Sequence, residues 1–225
     1  MSKRVVALLP MKANSERVRG KNFLDLAGKP LFRWILDELL AVDTIDKIVI
    51  NTDAREVLEY HGLKETDRIM IRDRKSELRG DMVSMNRIIA DDIDAVAADL
   101  YLMTHTTNPL ISSKTIIESL AKFDSAADRD SLFTVNKVQT RFYDINGTPI
   151  NHDPDNLIRT QDLEPWFEEN SCIYIFSRYS FAKTNARIGE RPMLMVTPPL
   201  ESLEIDDPHD WDTVSALAHY RKTNV

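Results

Sequence analysis

Cysteine is nearly missing from this chain. Cys172 stands alone among 225 residues, so no internal disulfide framework can form, which suits a reducing compartment. Cys172 lies in the apolar run Cys172-Ile173-Tyr174-Ile175-Phe176, the setting of a buried strand thiol rather than a nucleophile. Long hydrophobic runs are also missing: none approaches the roughly 18 residues of a membrane span, so no membrane partner is expected. The run that follows Met1-Ser2-Lys3-Arg4 stops at Pro10, too short for the apolar region and cleavage site of a signal peptide. These absences together predict a cytoplasmic protein. Positive charge is in deficit as well. The formal net charge of -7 argues against a nucleic-acid partner, which would call for a basic face, but a phosphate pocket needs only a few local cations. Internal repeats and low-complexity tracts do not occur.

What is present is an ordinary globular composition, 43% hydrophobic and 29% charged, enough for one sizeable core and a single domain over residues 1–225. Val5-Val6-Ala7-Leu8-Leu9 is continuously apolar, as a strand covered on both faces should be. After a polar loop and the turn Gly28-Lys29-Pro30, the residues Leu31, Trp34, Ile35, Leu39 and Val42 recur at helical spacing. Strands are then predicted at 47–52, 68–71 and 99–104. Between and after them come helices marked by Val83, Ile88, Ile89, Ile93 and Val96, and by Ile116, Ile117, Leu120 and Phe123. Asp53 is placed to cap a helix running toward His61. This rhythm predicts an α/β fold with a mostly parallel sheet, built of right-handed βαβ units with helices on both faces. Beyond Ser131 the rhythm breaks. A strand at 132–135 is followed by Asn146-Gly147, a hairpin signal, and a polar stretch to about Asn170. Residues 140–170 therefore read as a small antiparallel excursion suited to pairing two subunits as a homodimer. Strands at 171–176 and 193–196 and a closing helix marked by Trp211, Val214, Leu217 and Ala218 complete the chain.

In open α/β sheets ligands bind beyond the carboxyl ends of the strands. The loop after the first strand holds four cations, Lys12, Arg17, Arg19 and Lys21, which could neutralise a triphosphate or could simply be solvated. Two familiar phosphate signatures fail here. No G-x-G-x-x-G follows the strand, and although Gly20-Lys21 sits where a P-loop has Gly-Lys, Ser15 replaces its first glycine and Asn22 its Ser/Thr.

The ordered set of motifs resembles the acylneuraminate cytidylyltransferases (CMP-sialic acid synthetases), with the related CMP-Kdo synthetases behind them. The matching residues are Ser15, Lys21-Asn22, Gly28-Lys29-Pro30-Leu31, Asn51-Thr52-Asp53, and Arg72 with Leu78 and Asp81. Thr106-Thr107-Asn108-Pro109-Leu110 and Arg159-Thr160-Gln161-Asp162-Leu163 follow, then Asn170 through Ile175 against Asn-Gly-Ala-Ile-Tyr-Ile, and Glu204-Ile205-Asp206 before Pro208 and Asp210. They cover nearly the whole chain in collinear order.

The resemblance implies a Rossmann-like nucleotidyltransferase fold and transfer of CMP from CTP to an acidic sugar, with Kdo or a non-catalytic sugar-nucleotide-binding role as the other readings. It implies that Lys21 holds the CTP phosphates and stabilises the departing pyrophosphate. Lys12, where the family usually has Arg, would contact phosphate without bidentate geometry. Asn14 and Ser15 would join them, Asn22 would meet the ribose, and Arg72, Asp81 and Ser84 would line the cytosine pocket. Arg72 could instead form a surface ion pair with Asp73 or Glu77. Lys137, Arg159, Gln161 and Asn170 would receive the acceptor sugar acid. His105 stands where the sialate enzymes usually have Gln, so it either tunes acceptor choice or is a plain strand-end residue. Glu204 and Asp206 share one side of an extended segment and would hold Mg2+, with Lys21 opposite across the triphosphate, unless they only cap the last helix with Asp207 and Asp210. The other histidines, His61, His152, His209 and His219, lack metal-ligand spacing.

Overall fold

A computed structural model describes residues 3–15 and 17–224. Its elements in chain order are β1 (Val5–Leu8), β2 (Asp25–Leu26), β3 (Lys29–Pro30), α1 (Leu31–Leu40), β4 (Lys47–Thr52), α2 (Arg55–Tyr60) and β5 (Ile69–Asp73). There follow α3 (Met85–Ala95), β6 (Leu100–Thr104), α4 (Ser113–Asp124), β7 (Ser131–Val138), β8 (Trp166–Phe176), α5 (Arg178–Thr184), β9 (Pro192–Val196) and α6 (Pro208–Asn224).

Seven strands form one sheet in the order β5-β4-β1-β6-β8-β7-β9, and β2 pairs with β3 in a separate two-stranded ribbon. Every neighbouring pair in the large sheet is parallel except those of β8, which runs antiparallel to β6 and β7. The expected mostly parallel α/β sheet is therefore what the chain forms. The continuous apolar run of β1 has the predicted cause. Val5 and Ala7 pack into a cluster with Phe32, Ile35 and Leu39 of α1 and Ile116 and Leu120 of α4. Val6 and Leu8 face the opposite cluster, with Ile89 and Ile93 of α3 and Phe181 of α5. Helices thus cover both faces, and a strand between them has no polar side. A third cluster, including Leu26, Leu31, Leu110, Ile205, Val214 and Ala218, docks α6 beside the small ribbon.

Local chemistry explains most boundaries. Pro30 sits at the N-cap of α1, where a missing N–H costs nothing. Ser112 caps α4 by accepting from the Thr115 amide at 3.2 Å, and Ser177 with Ser180 forms a capping box on α5. Asp53 departs from expectation. The N-cap of α2 is Ala54 with no side-chain cap, while Asp53 Oδ1 accepts from the Ala13 amide at 2.7 Å and so anchors the first loop. The helix α5 and the β2-β3 ribbon are additions to the sequence reading.

The excursion also differs in detail. Strand β8 begins at Trp166 rather than 171 and pairs with β7 as far as Val138. Its first residues, Trp166 to Glu169, are exposed and carry no burial signal. Between the halves of β8 the register shifts, and Ser171 takes a left-handed φ of 58°. Asn146-Gly147 does make a turn, with the Asp144 carboxylate accepting from the amides of Asn146 (2.9 Å) and Thr148 (2.8 Å). The segment 139–165 nevertheless holds a single bridge, Tyr143 to Pro149, instead of a paired hairpin, together with a 3-10 turn at Thr160–Asp162. No helix among the described residues is long and apolar enough to cross a membrane.

Candidate active site

Beyond the carboxyl ends of β1, β5 and β6 lies a cleft of about 390 Å³. Four segments distant in sequence build it: the loop after β1, the turn after β5, the β6 exit and residues 204–206. Ser15, Asp81 and Thr106 are among its walls.

Lys21 is its central cation. Gly20, in the left-handed region at φ 64°, turns the chain into the 3-10 turn Lys21–Phe23, which carries the lysine inward until only 5% of it is exposed. Its ammonium donates to the Ile205 carbonyl and lies 3.8 Å from Asp206. Burial lowers the Lys21 pKa, while the Asp206 and Glu204 charges work the other way. Arg17 reaches the same carboxylate of Asp206 at 3.3 Å. Lys21 and Asp206 are thus side by side rather than on opposite sides, because both follow the backbone of residues 205–206.

Asn22 lines the cleft but is committed internally. Its Nδ2 donates to the Lys12 carbonyl at 2.8 Å, and its Oδ1 accepts from Thr106 Oγ1 at 2.6 Å, tying the first loop to the β6 exit. Lys12 bridges to Asp81 across the mouth. Of the four loop cations, Lys12, Arg17 and Lys21 face the cleft, and Arg19 does not.

Glu204 and Asp206 both project into the cleft, as period-two spacing predicts. Glu204 accepts from Thr107 Oγ1 at 2.9 Å, and burial, opposed by that hydrogen bond, raises its pKa, with the Asp206 charge adding to the rise. Capping of α6 falls to other residues. Asp210 accepts from the Asp206 and Asp207 amides, and Asp207 from those of His209 and Asp210. Among the described residues no group of three metal-ligating side chains occurs. Two hard carboxylates beside a phosphate-sized cationic pocket still fit Mg2+, which completes its shell with substrate phosphate and water. A divalent cation there would also offset the Asp206 charge that adds to the effect of burial on Glu204.

His105 lies at the cleft wall, where burial, then Arg187 and Lys21, push it down to about 3, so the ring is neutral at ordinary pH. Cys172 is fully buried and its thiol is pushed far up by burial, as a structural strand residue should be. His61 packs against Phe23, and none of the four remaining histidines lines the cleft.

Several expected residues are elsewhere. Arg72 stands on β5 opposite Asn51 and points at α3, pairing with Asp91 at 2.9 Å and with Asp92. The ion pair foreseen for it is real, with different partners. Arg74 takes its place in the cleft: only the second arginine clears the last ladder pair, Thr52 with Asp73, and can turn over the strand end. That geometry was available in the sequence once β5 was taken to end at Asp73. Asn14 is exposed and outside the wall. Ser84 lies at the N-cap of α3, facing a neighbouring hollow with Glu169 and Arg187. Lys137, Arg159 and Gln161 are exposed on β7 and the excursion, with Arg159 held by Asp162 at 2.7 Å. Asn170 is buried and donates to Thr197 and Asn136 at 2.7 and 3.0 Å, locking the β7-β8-β9 edge. These four are not brought to the cleft within one chain.

A family described as cytidylyltransferase matches residues 6–222. The N-acylneuraminate cytidylyltransferase of Escherichia coli O18:K1:H7 is 22% identical over 94% of this chain and 51% of that protein. The chain thus spans about half the length of several curated relatives that it matches. The CMP-N,N'-diacetyllegionaminic acid synthase of Legionella pneumophila is 24% identical, with 95% and 96% covered. The pseudaminic acid cytidylyltransferase of Campylobacter jejuni is 20% identical, with 94% and 95% covered. Among solved structures, a CMP:2-keto-3-deoxy-manno-octonic acid synthetase complexed with CTP superimposes with a TM-score of 0.68 at 16% identity, over 97% of this chain and 99% of that one. A 4-diphosphocytidyl-2C-methyl-D-erythritol synthase from Anaerococcus prevotii gives 0.70 at 12% identity, over 99% and 97%. The fold is shared with both.

Proposed function

The chain belongs to the cytidylyltransferase family, and on that premise we propose that it transfers CMP from CTP to the anomeric hydroxyl of a sialic-acid-like nonulosonic acid. The observation that carries this reading is the convergence in one cleft of Lys12, Arg17, Lys21 and Arg74 with the carboxylates Glu204 and Asp206. Relatives named for sialic, legionaminic and pseudaminic acids support the class of acceptor. In the reaction, the anomeric oxygen forms a bond to the α-phosphorus, the α–β bridging P–O bond breaks, and pyrophosphate leaves with the electron pair while the hydroxyl proton passes to solvent.

Lys21 and Arg17 neutralise the triphosphate, and Lys21, being buried, stabilises charge on the leaving pyrophosphate most strongly. Arg74, in the place first assigned to Arg72, binds at the nucleotide end near Asp81. Glu204 and Asp206 are the residues that would hold Mg2+, and the ion when bound would offset phosphate charge and acidify the attacking hydroxyl. Neutral His105 offers the acceptor one hydrogen-bond donor and one acceptor. The polar residues Lys137, Arg159 and Gln161 reach an acceptor in a homodimer that lays the excursion of one chain over the cleft of the other. Exposed Ile145, Leu157, Ile158, Trp166 and Phe167 give that excursion an apolar surface to bury. A lone buried thiol is consistent with a cytoplasmic setting.

A different acidic sugar such as Kdo is the nearest second reading. A non-catalytic sugar-nucleotide binder is less well supported, because binding alone needs no carboxylate pair beside Lys21. Pyrophosphate release, measured with Mg2+ and a panel of nonulosonic acids, separates them. The expected result is release from CTP far above that from ATP, GTP or UTP. Equal release from all four triphosphates, or none with any sugar acid, overturns the reading.

A further inference from the structure

We propose that Asp92 is a positioning residue for the cleft, fixing Arg74 through the side-chain amide of Asn51. The proposal rests on the cleft being the CTP site. Asn51 is fully buried on β4, between the two charged groups. Its Nδ2 donates to Asp92 Oδ1 at 2.8 Å, and its Oδ1 accepts from Arg74 Nε at 2.9 Å. An ionised carboxylate only accepts and a guanidinium only donates, so the amide between them can face one way only. Arg74 Nη2 donates to the carbonyls of Asn51 (2.8 Å) and Met11 (3.2 Å). With Nε and Nη2 committed, Nη1 is the edge of the guanidinium left for a ligand among the described residues.

Behind the relay, Arg72 pairs with both Asp92 and Asp91, and Lys75 lies 2.5 Å from Asp91. Asp92 itself is 1% exposed, and its Oδ2 has no hydrogen-bond partner among the described residues. Such an oxygen carries an uncompensated desolvation cost. Burial accordingly raises Asp92 to about 6. A neutral amide would fill the same space at lower cost, but it could present either face to Asn51, and a turned Asn51 amide would give up the bond to Arg74 Nε and leave the guanidinium held by Nη2 alone. The buried charge is explained by the orientation that it imposes.

The test is a double-mutant cycle on the full chain, reading the CTP dissociation constant by titration and kcat and KM by turnover. Arg72 keeps its pairing with Asp91 in Asp92→Asn, and the buried charge it loses was itself penalised by burial, so the variant is expected to fold. It should weaken CTP binding and raise its KM roughly tenfold, the scale of one hydrogen bond to a charged group, with kcat changed by less than about twofold. In an Arg74→Ala background the same substitution should add nothing, which a purely structural role would not produce. An unchanged dissociation constant in Asp92→Asn, or an equal loss with and without Arg74, overturns the relay. Should Arg74→Ala itself leave CTP binding intact, the assignment of the cleft falls and the relay with it.

A second readout needs no Asp92 variant. The ratio of CTP dissociation constants between Arg74→Ala and the parent cancels the titration of CTP. It should fall as pH drops through about 6, where a proton on Oδ2 neutralises Asp92 and weakens the hold of Oδ1 on Asn51. Of the groups facing Asp92, Arg72 and Arg74 stay charged there. Asp91 does too: although burial works the other way, Lys75 and Arg72 hold it below the usual carboxylate range. A ratio constant from roughly pH 5 to 8 overturns the proposal.

Discussion

Lys21 and Asp206, from opposite ends of the chain, form an ion pair of 3.8 Å in which the lysine is buried and the aspartate half-exposed. The Ile205 carbonyl holds the same ammonium, so the lysine is fixed to the backbone next to the carboxylate.

Both members should therefore matter to turnover. Asp206→Asn keeps size and hydrogen bonding but removes the charge, and it should cut turnover at least about 100-fold, the scale of a principal electrostatic contribution. Lys21→Ala should lose a comparable amount, and added Mg2+ should restore neither fully. Steady-state rates at limiting Mg2+ check this; near-normal turnover in Asp206→Asn would place the metal elsewhere.

Arg72 and Arg74 should separate cleanly. Arg72→Met breaks a buried pairing with Asp91 and Asp92 and should cost about 3 kcal/mol of stability, measured by urea unfolding. Arg74→Lys keeps the charge but cannot span Asn51, Met11 and a ligand at once, so it should weaken CTP binding while unfolding near the parent midpoint. A stability loss confined to Arg74→Lys would reverse the assignment.

The excursion should pair two chains. Sedimentation at micromolar concentration should show a dimer, and Phe167→Glu with Leu157→Glu should yield a monomer whose acceptor KM rises. A parent that sediments only as monomer is incompatible with this.

His105 makes two predictions of different kind. His105→Gln should change the relative rates across several nonulosonic acids, and unchanged ratios would remove it as a selector. The second concerns acid stability. Its pKa falls from 6.5 to about 3 on folding, so the unfolded chain binds a proton that the folded one refuses. Its contribution is intact above about 6.5 and is lost progressively as pH falls toward 3. The parent should lose up to about 2 kcal/mol more than His105→Gln between pH 7 and pH 5, read from urea midpoints.

The sheet was legible because burial on two faces writes apolar runs that nothing else explains. The runs at Val5, Lys47 and Leu100 each mark a strand within a residue or two. The first loop was legible because four cations crowd a short stretch of an acidic chain, and Glu204-Ile205-Asp206 because it resembles a family motif and period-two spacing puts its carboxylates on one side. Arg74 was not, since Arg72 lies two residues away and only the strand's end decides which of them turns into the cleft. Strand β8 was half-hidden: Trp166 to Glu169 pair with β7 yet face solvent, so backbone pairing left no pattern in the side chains. Ser171 was equally obscure, because its left-handed backbone serves a register shift that depends on both strands.

The sheet order has a consequence for the order in which the chain can mature. The strands β5, β4, β1 and β6 are all made before residue 105, and they can pair as a half-sheet while the ribosome is still extending the chain. Until residues 166–176 emerge, β6, buried along its whole length in the finished fold, is a raw edge open to a wrong neighbour. β8 then closes it in the antiparallel sense. The carbonyl of Ile205 arrives later still, so a nascent or truncated chain can own the sheet, Arg74 and His105 and still lack the last hold on Lys21. Glu204 and Asp206 come with that same late segment, so the cleft has no carboxylate pair before it is made.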